Sequence, residues 1–540
     1  MKKFLSKYRT LAGQHKGELF FIFFLLLISG LAAGWNMFHY PSYFEDEGTY
    51  MARAVAIAYH HSLAPYTYWY DHAPGGWIII ALWLRLTGGI STFGSAINSG
   101  RVLMLLVHLT STVLLYLIAK HYKLSKPFIA IIIAFFSLSP LAITLQRMVF
   151  LDNLMVVIML AAVYLGLRMK NVRTAILSGC LLGIAALTKE TAIFFIPGML
   201  VLLFQKKPKS LRKFISLSWL MALAGTILTY PIFALLRGEF FPMHSLLGGK
   251  SPHVSLVTTL LWQDSRKGGV FYASSSQFIH YVVHSWLFTD PILITAGFAS
   301  SVILLIISFR KRQYVPIVVM TFGYIYYLIR GTIVNDQYLI PLIPFFALNI
   351  GIVLYEYYQQ VEISKFIKHM EIALIASVCA VSLIWDIKNP DLYVVNATAP
   401  QMKAIDWLQT NTNKSDLTEI DSYAMGDLLY DYGPDIYKNY GYQDFWEVDQ
   451  DPELTTKTLH DSWHKINYIL VTPDMLSDVG NGGLPLTQDA LNHSTTIEKY
   501  TISLPSSGVS GYLYKHSLHK YIIIATEGYI DINKVQAAKN

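Results

Sequence analysis

Residues 75–89 read GGWIIIALWLRLTGG, and the topology of the whole chain turns on whether this run crosses a membrane. A spanning helix needs about 20 apolar residues, and the run falls well short of that. Counting it as a span would also put KHYKLSK (120–126) and most later basic clusters opposite the N-terminus, which carries Lys2, Lys3, Lys7, Arg9 and Lys16. Loops rich in Lys and Arg stay on the cytoplasmic side. The run is therefore read as an interfacial or re-entrant helix. With it set aside, RMKNVR (168–173), QKKPKSLRK (205–213), FRKR (309–312) and the weaker EISKFIKH (362–369) all fall on the N-terminal side. The spans that satisfy these clusters lie at about 18–38, 101–120, 127–146, 150–168, 174–188, 191–205, 214–236, 291–309, 314–330, 337–358 and 371–386. The expectation is about 11 transmembrane helices in the cell membrane, with a cytoplasmic N-terminus and an external C-terminus.

Composition demands this class. Of 540 residues, 54% are hydrophobic and 14% charged, where an ordinary soluble domain carries about 25% charged residues. The net charge of +7 is that of basic cytoplasmic loops, so no nucleic-acid partner is expected. Cys180 and Cys379 lie inside apolar segments with no metal or redox spacing. The N-terminal apolar run is long for a signal peptide and is followed by further spans, which reads as a retained anchor. Four regions result. Residues 1–386 form the transmembrane part, 39–100 a first external loop with juxtamembrane helices, and 237–290 a second external loop. Residues 387–540 are rich in Asp, Asn, Thr, Gly and Tyr. They carry a helical pattern, APQMKAIDWLQTN (399–411), and strand-like runs at 466–472, 501–505, 511–515 and 521–526, which reads as a soluble α/β domain.

This topology gathers the unusual polar residues on the external side. YFEDEGTYMARA (43–54) opens the first loop with Glu45, Asp46 and Glu47. Acids at a helix start are favoured by the macrodipole, yet Asp46, Tyr50 and Arg53 also share one helical face, as a polar ligand would require. His72 precedes the turn Pro74-Gly75-Gly76, which can present imidazole and backbone N–H groups to an anion. Arg147 and Asp152 sit at the external ends of the third and fourth spans, either as an ion pair or as site residues. Lys189 interrupts a long apolar stretch on the side where positive charge is not expected, and Glu190 beside it offers a partner. Arg330 and Tyr338 belong to RGTIVNDQYLIPLIP (330–344). The histidines at 244, 253, 280 and 284 have no tight metal spacing. Ionisable groups at the ends of spans are functional candidates by default.

At these residues the chain resembles a C-type (GT-C) glycosyltransferase of family 39, which includes protein O-mannosyltransferases and the lipid A aminoarabinose transferase. The resemblance rests on Asp46-Glu47 followed by Tyr50, on His72-Ala73-Pro74-Gly75 and on Arg147 to Asp152. It extends to Leu187-Thr188-Lys189 and to Tyr338-Leu339-Ile340-Pro341-Leu342-Ile343-Pro344. The order matches over roughly residues 17–360. The sequence departs from the family where Ala73-Pro74 replaces a double proline, and it lacks the MIR-type insertion of the eukaryotic enzymes.

The resemblance implies a polyprenyl-phosphate sugar as donor and an acceptor hydroxyl on a glycan, lipid or protein. A carboxylate is needed to take the hydroxyl proton, which assigns catalytic roles to Asp46, Glu47 and Asp152. Lys189, Arg147, His72 and Arg330 would hold the donor phosphate, and Tyr50, Arg53 and Tyr338 would contact substrate. A divalent cation, if one is used, would sit on Asp46 and Asp152. The alternative class is a transporter or flippase of lipid-linked saccharides, which would place charges near mid-bilayer within inverted repeats.

Overall fold

A computed structural model of the chain describes residues 2–205, 209–246, 249, 254–265, 276–330, 333–360, 391–413, 415–430, 441–501 and 520–526. The first helix, Lys2–Gly34 (α1), contains the apolar span Lys16–Gly34. Glu45–Val55 (α2) and Gly75–Thr87 (α3) follow, and then the long helix Ala96–His121 (α4). Lys126–Ser137 (α5) and Pro140–Arg147 (α6) are apolar helices that meet at a 59° bend, the geometry of a broken span or a re-entrant loop, where Ser139 caps α6 and Pro140 occupies its first turn. Leu151–Arg168 (α7), Val172–Thr188 (α8), Ile196–Gln205 (α9) and Lys209–Arg237 (α10) complete the first half. Leu256–Ser265 (α11), Pro291–Arg310 (α12), Val315–Arg330 (α13) and Ile343–Gln360 (α14) make the second.

Six described helices are long and apolar enough to cross a membrane, or seven if the bent pair α5–α6 is one span. The expected spans at 174–188, 191–205 and 314–330 coincide with the shorter helices α8, α9 and α13, and 371–386 lies outside the described residues. The protein is a polytopic helical membrane protein. Its helices alternate in direction, as contacts at one end of the bundle show. There Lys120 pairs with Glu18 at 2.8 Å, Lys126 donates to the Gly17 carbonyl at 3.4 Å, and Gln205 donates to the Arg312 carbonyl at 2.8 Å. Asn349 ties α14 to α12 and α13 by donating to Ser301 Oγ at 2.9 Å and Thr321 Oγ1 at 3.2 Å. Such buried amide bonds hold helices together where the surrounding lipid is as apolar as the side chains. Cys180 is a free thiol, and Cys379 lies outside the described residues.

The decisive run folds as the sequence requires. α3 has 13 residues, about 20 Å at 1.5 Å per residue, and cannot cross a core of about 30 Å. Trp77, Ile80 and Leu84 are buried, whereas Ile78, Leu82 and Leu86 form an exposed stripe on the other side. An apolar stripe of this kind suits a helix lying along the membrane interface. Gly88, at φ +93°, ends it in the left-handed conformation that glycine adopts without steric penalty.

The C-terminal region holds a five-stranded sheet of order β2-β1-β3-β5-β4, built from Thr418–Ile420 (β1), Tyr442–Asp444 (β2), Tyr468–Val471 (β3), Ser494–Thr501 (β4) and Lys520–Thr526 (β5). The first three strands are parallel, and β5 joins antiparallel to both β3 and β4. Ala399–Asn411 (α15) forms where its pattern places it, followed by Met425–Tyr430 (α16), Phe445–Gln450 (α17) and Pro473–Gly480 (α18). The expected runs at 466–472 and 521–526 correspond to β3 and β5. The run at 501–505 lies outside the described residues apart from Thr501, which ends β4, and the run at 511–515 lies wholly outside them.

This region is clamped to the membrane part. Tyr43 and Gln401 exchange two hydrogen bonds, at 2.7 and 2.8 Å, and Asp427 accepts from the Ala96 backbone N–H at 2.8 Å, capping α4. On α2, Gly48 lets the backbone of Ser422 approach so closely that a Cβ would lie 1.9 Å from the Ser422 carbonyl oxygen.

The docking can be tested at that contact. Gly48→Ala must push Ser422 away and should cost at least about 1–3 kcal/mol, the usual cost of overpacking. Limited proteolysis of the detergent-solubilised protein should then cut residues 399–501 faster than in the parent, and an unchanged cleavage rate would count against the clamp. A second test uses pH. Burial pushes the carboxyls of Glu419 up to about 8, of Asp444 and Asp474 to about 7 and of Asp478 to about 6. The folded state then binds protons that the unfolded chain releases, so the contribution is complete below about pH 4 and is lost as pH rises through 6–8. The region should resist proteolysis better at pH 5 than at pH 8.5, and the reverse order would refute the argument.

Candidate active site

Successive side chains on a helix point about 100° apart, so the first turn of α2 sends its three carboxylates in three directions. Glu47 turns into the bundle and is fully buried. Its oxygens accept from Arg101 Nε at 3.0 Å and Nη2 at 2.8 Å, from Val149 N at 2.9 Å and from Phe44 N at 3.1 Å. Glu45 accepts from Trp446 Nε1 at 3.0 Å. Asp46 faces neither partner and accepts from Gln337 Nε2 at 3.1 Å.

A second cluster forms where α8 ends. Lys189 leaves the helix in an extended conformation, and its side chain is buried. Its ammonium lies 3.2 Å from His72 Nε2, 3.9 Å from Asp152 Oδ2 and 5.8 Å above the Tyr338 ring. His72 is brought there because α3 starts hard against the end of α8. A Cβ on Gly75 would lie 2.6 Å from the Leu187 carbonyl oxygen. His72 Nδ1 is 3.1 Å from Glu190 Oε2, and the Ala73 N–H donates to Glu190 Oε1 at 2.9 Å. An ammonium can only donate, which assigns His72 as the neutral Nδ1–H tautomer, accepting from Lys189 and donating to Glu190. The turn thus binds the chain's own carboxylate, and His72 orients Lys189.

Asp152 is 1% exposed, and neither of its oxygens accepts a well-formed hydrogen bond. A buried carboxylate in that condition is costly unless a positive charge is near, and Lys189 supplies one. Tyr50 is buried with its ring 6.2 Å from that of His72. Asp46 interacts electrostatically with Lys189, Asp152 and Tyr50, which places the two clusters at one site. Arg53, seven positions on from Asp46, is held by Asp71 at 3.3 and 3.4 Å and lies over the Trp77 ring at 4.7 Å.

Three of the expected site residues have other surroundings. Glu47 has both oxygens committed to Arg101 and the backbone, the environment of a structural anchor. Arg147 donates to the carbonyls of Ala32, Ala33, Trp35 and Leu392 at 2.7–2.9 Å. It fastens the end of α1 to the segment after the last span instead of reaching the Lys189 cluster. Arg330 is exposed at the end of α13. Among the described residues no three His, Cys, Asp or Glu side chains converge to hold a metal ion.

Two cavities flank Glu45. One, of about 430 Å³, lies among Phe44, Met148, Tyr281, Gln337, Asp421 and Asp474. The other, of about 490 Å³, lies among Asp46, Arg53, Trp69, Trp262, Trp446 and Glu447. Lys189 and Asp152 line neither, while Asp46 opens on the second. Sequence reasoning missed Gln337 and Asp71, neutral or paired residues whose partners lie far along the chain. It met Glu190 only as a neighbour of Lys189. The one available signal for Gln337 was its place beside Tyr338.

Residues 71–237 match the model of the family described as dolichyl-phosphate-mannose-protein mannosyltransferase. Among solved structures, the chain is similar to ArnT from Cupriavidus metallidurans bound to undecaprenyl phosphate. The two are 13% identical, with a TM-score of 0.53 over 94% of this chain and 98% of that one. It is also similar to the archaeal oligosaccharyltransferase AglB from Archaeoglobus fulgidus in complex with an inhibitory peptide and a dolichol-phosphate. Here the identity is 12% and the TM-score 0.54, over 95% of this chain and 77% of that one. No curated protein matches the sequence. The chain thus shares its fold with ArnT and AglB, and its match to the mannosyltransferase family model is confined to residues 71–237.

Truncating one partner of a fully buried ion pair leaves the other charge stranded, at a cost of about 3–5 kcal/mol. Glu47→Ala should therefore lower the thermal unfolding temperature in detergent markedly, while Asp46→Asn should leave it nearly unchanged. Equal effects on stability would undo the separation of roles between these neighbours.

Proposed function

We propose that the chain is an inverting glycosyltransferase that moves a sugar from a polyprenyl-phosphate donor to an acceptor hydroxyl. The observation that carries this reading is the buried Lys189, held by His72, Asp152 and Tyr338 within electrostatic reach of the open carboxylate of Asp46. Polyprenyl phosphates occupy two structures of this fold, as undecaprenyl phosphate in ArnT and dolichol-phosphate in AglB.

The chemistry follows from the groups present. The acceptor hydroxyl attacks the anomeric carbon as Asp46 takes its proton, a role that needs a carboxylate in hydrogen-bond reach. The bond from the anomeric carbon to the phosphate oxygen breaks, and the negative charge developing on the leaving phosphate is met by Lys189. Asp152 holds Lys189 from behind, and Gln337 fixes the orientation of Asp46. One displacement inverts the sugar carbon. Lys120, Lys126, Arg168 and Arg173 sit at the helix ends opposite those that carry Asp152 and Lys189, which supports a cytoplasmic N-terminus, a site on the external face and an external domain from about residue 387.

Incubation of the purified protein with polyprenyl-phosphate sugars should release lipid phosphate. Asp46→Asn should slow that release by about 10²–10⁴-fold, the usual contribution of a general base, with donor affinity retained. Lys189→Met should weaken donor affinity as well. Parent-level turnover in Asp46→Asn would remove Asp46 from the role of base. Gln337→Ala should lower kcat with little change in KM, and a change confined to KM would show that it contacts substrate instead.

A further inference from the structure

The cavity of about 490 Å³ onto which Asp46 opens is built from both halves of the protein. The α2 region and the loop at 64–71 form one wall, residues 254–262 the rim, and Ser422, Met425 and residues 444–450 of the C-terminal region the opposite wall. Its size falls in the range of about 300–1,000 Å³ typical of small-ligand pockets. Among the described residues, five carboxylates line it, those of Glu45, Asp46, Asp71, Asp444 and Glu447, against one cation, Arg53. That cation is already held by Asp71. Four aromatic rings, Trp69, Trp262, Trp446 and Tyr66, share the rest of the lining with small and hydroxyl-bearing residues such as Thr49, Thr258 and Ser422.

The hydrogen bonds within the walls decide what these rings can offer. Trp69 Nε1 donates to Glu447 at 3.3 and 3.2 Å, and Trp446 Nε1 donates to Glu45 at 3.0 Å. An indole has only this one donor, so Trp69 and Trp446 have only their ring faces left for a ligand. Trp262 stands at the rim and is 54% exposed. Ring faces beside carboxylates suit a molecule with C–H faces and many hydroxyl donors. A phosphate-bearing ligand would meet five acidic side chains, of which burial pushes Glu45, Asp444 and Glu447 toward the protonated form, with no uncommitted cation among the described lining residues to pair with it. Most peptides are recognised through a strand edge or an apolar groove, and this wall of carboxylates and rings supplies neither.

Resting on the glycosyltransferase reading, we infer that this cavity is the acceptor site, that the C-terminal region supplies half of it, and that the acceptor is an uncharged, hydroxyl-rich saccharide. Its attacking hydroxyl reaches Asp46 from this side, while the donor phosphate stays with Lys189.

Binding can be measured without any donor. The full chain in detergent would be titrated with neutral oligosaccharides, their phosphorylated counterparts, and peptides containing Ser and Thr. Neutral saccharides should bind saturably, and the other two classes at least about tenfold more weakly, a difference of about 1.4 kcal/mol. Trp262→Ala and Glu447→Gln should each weaken saccharide binding by about tenfold. Polyprenyl phosphate binding by the same variants should be unchanged. The inference is overturned if no neutral saccharide binds, if phosphorylated glycans or peptides bind as well, or if both substitutions leave saccharide binding intact. Loss of polyprenyl phosphate affinity in these variants would also overturn it, by assigning the cavity to the donor. Saccharide binding without lipid-phosphate release from any donor would refute the glycosyltransferase reading and leave the site standing. Release driven by peptide acceptors would do the reverse.

Discussion

The site depends on the buried pair Glu47–Arg101. Both side chains are fully enclosed, and such a pair persists only if its remaining hydrogen-bonding capacity is filled. Here it is filled by the surrounding chain. Arg101 also donates to the carbonyls of Met37, Pro41 and Ser42, and Glu47 also accepts from Val149 and Phe44. One interaction thereby fixes the exit of α1, the start of α2, the flank of α4 and the strand-like break before α7. With Glu47 pinned, helical geometry leaves Asp46 facing sideways, and Tyr50 and Arg53 follow it along the same face. Asp152, in the first turn of α7, is set in place by the same break.

The positive side of the site is governed by the cost of charge in an apolar setting. Lys189 sits at the end of a helix whose other residues are nearly all apolar. An ammonium there must be paired or lead to water. It is given a carboxylate without hydrogen bonds, a neutral imidazole and a phenol ring. None of these satisfies it as fully as a bidentate carboxylate would. Arg53, by contrast, is closed off by Asp71. The difference separates a cation left able to receive an anion from one committed to structure.

Much of this was legible in the sequence, for reasons that also mark where legibility stops. The membrane class and the helix positions follow from apolar run length and from Lys and Arg in the loops, both local properties. The same holds for the short helix at 75–87, whose length alone forbids a crossing. Lys189, Asp152, His72 and Tyr50 were singled out because ionisable groups at span ends are conspicuous, and the structure brings them together. Glu47 and Arg147 were conspicuous for the same reason, yet composition cannot tell a charge that faces a ligand from one that faces backbone carbonyls or a buried partner. Arg147 finds its carbonyls on residues 32–35 and 392, and Glu47 its arginine 54 positions away. Strands β1, β2 and β4 escaped notice because three-residue strands and a charged edge strand carry no alternation to read.

The two sides of the site carry opposite signs, and that asymmetry has a consequence for how the reaction is oriented. In the reaction proposed above, a lipid phosphate would be held at Lys189 with its sugar toward Asp46, and would find no uncommitted cation among the described residues lining the neighbouring cavity. A neutral acceptor is indifferent to both fields and is selected by ring faces and hydroxyl contacts alone. Two substrates of similar polarity would compete for one pocket. A charged one and an uncharged one are sorted by the field before they meet. The C-terminal region contributes Asp444, Trp446 and Glu447 to the acidic side, and the contact of Gly48 with Ser422 holds that wall against α2. The C-terminal region therefore lines the cavity on which Asp46 opens, and its docking on α2 fixes the shape of that cavity.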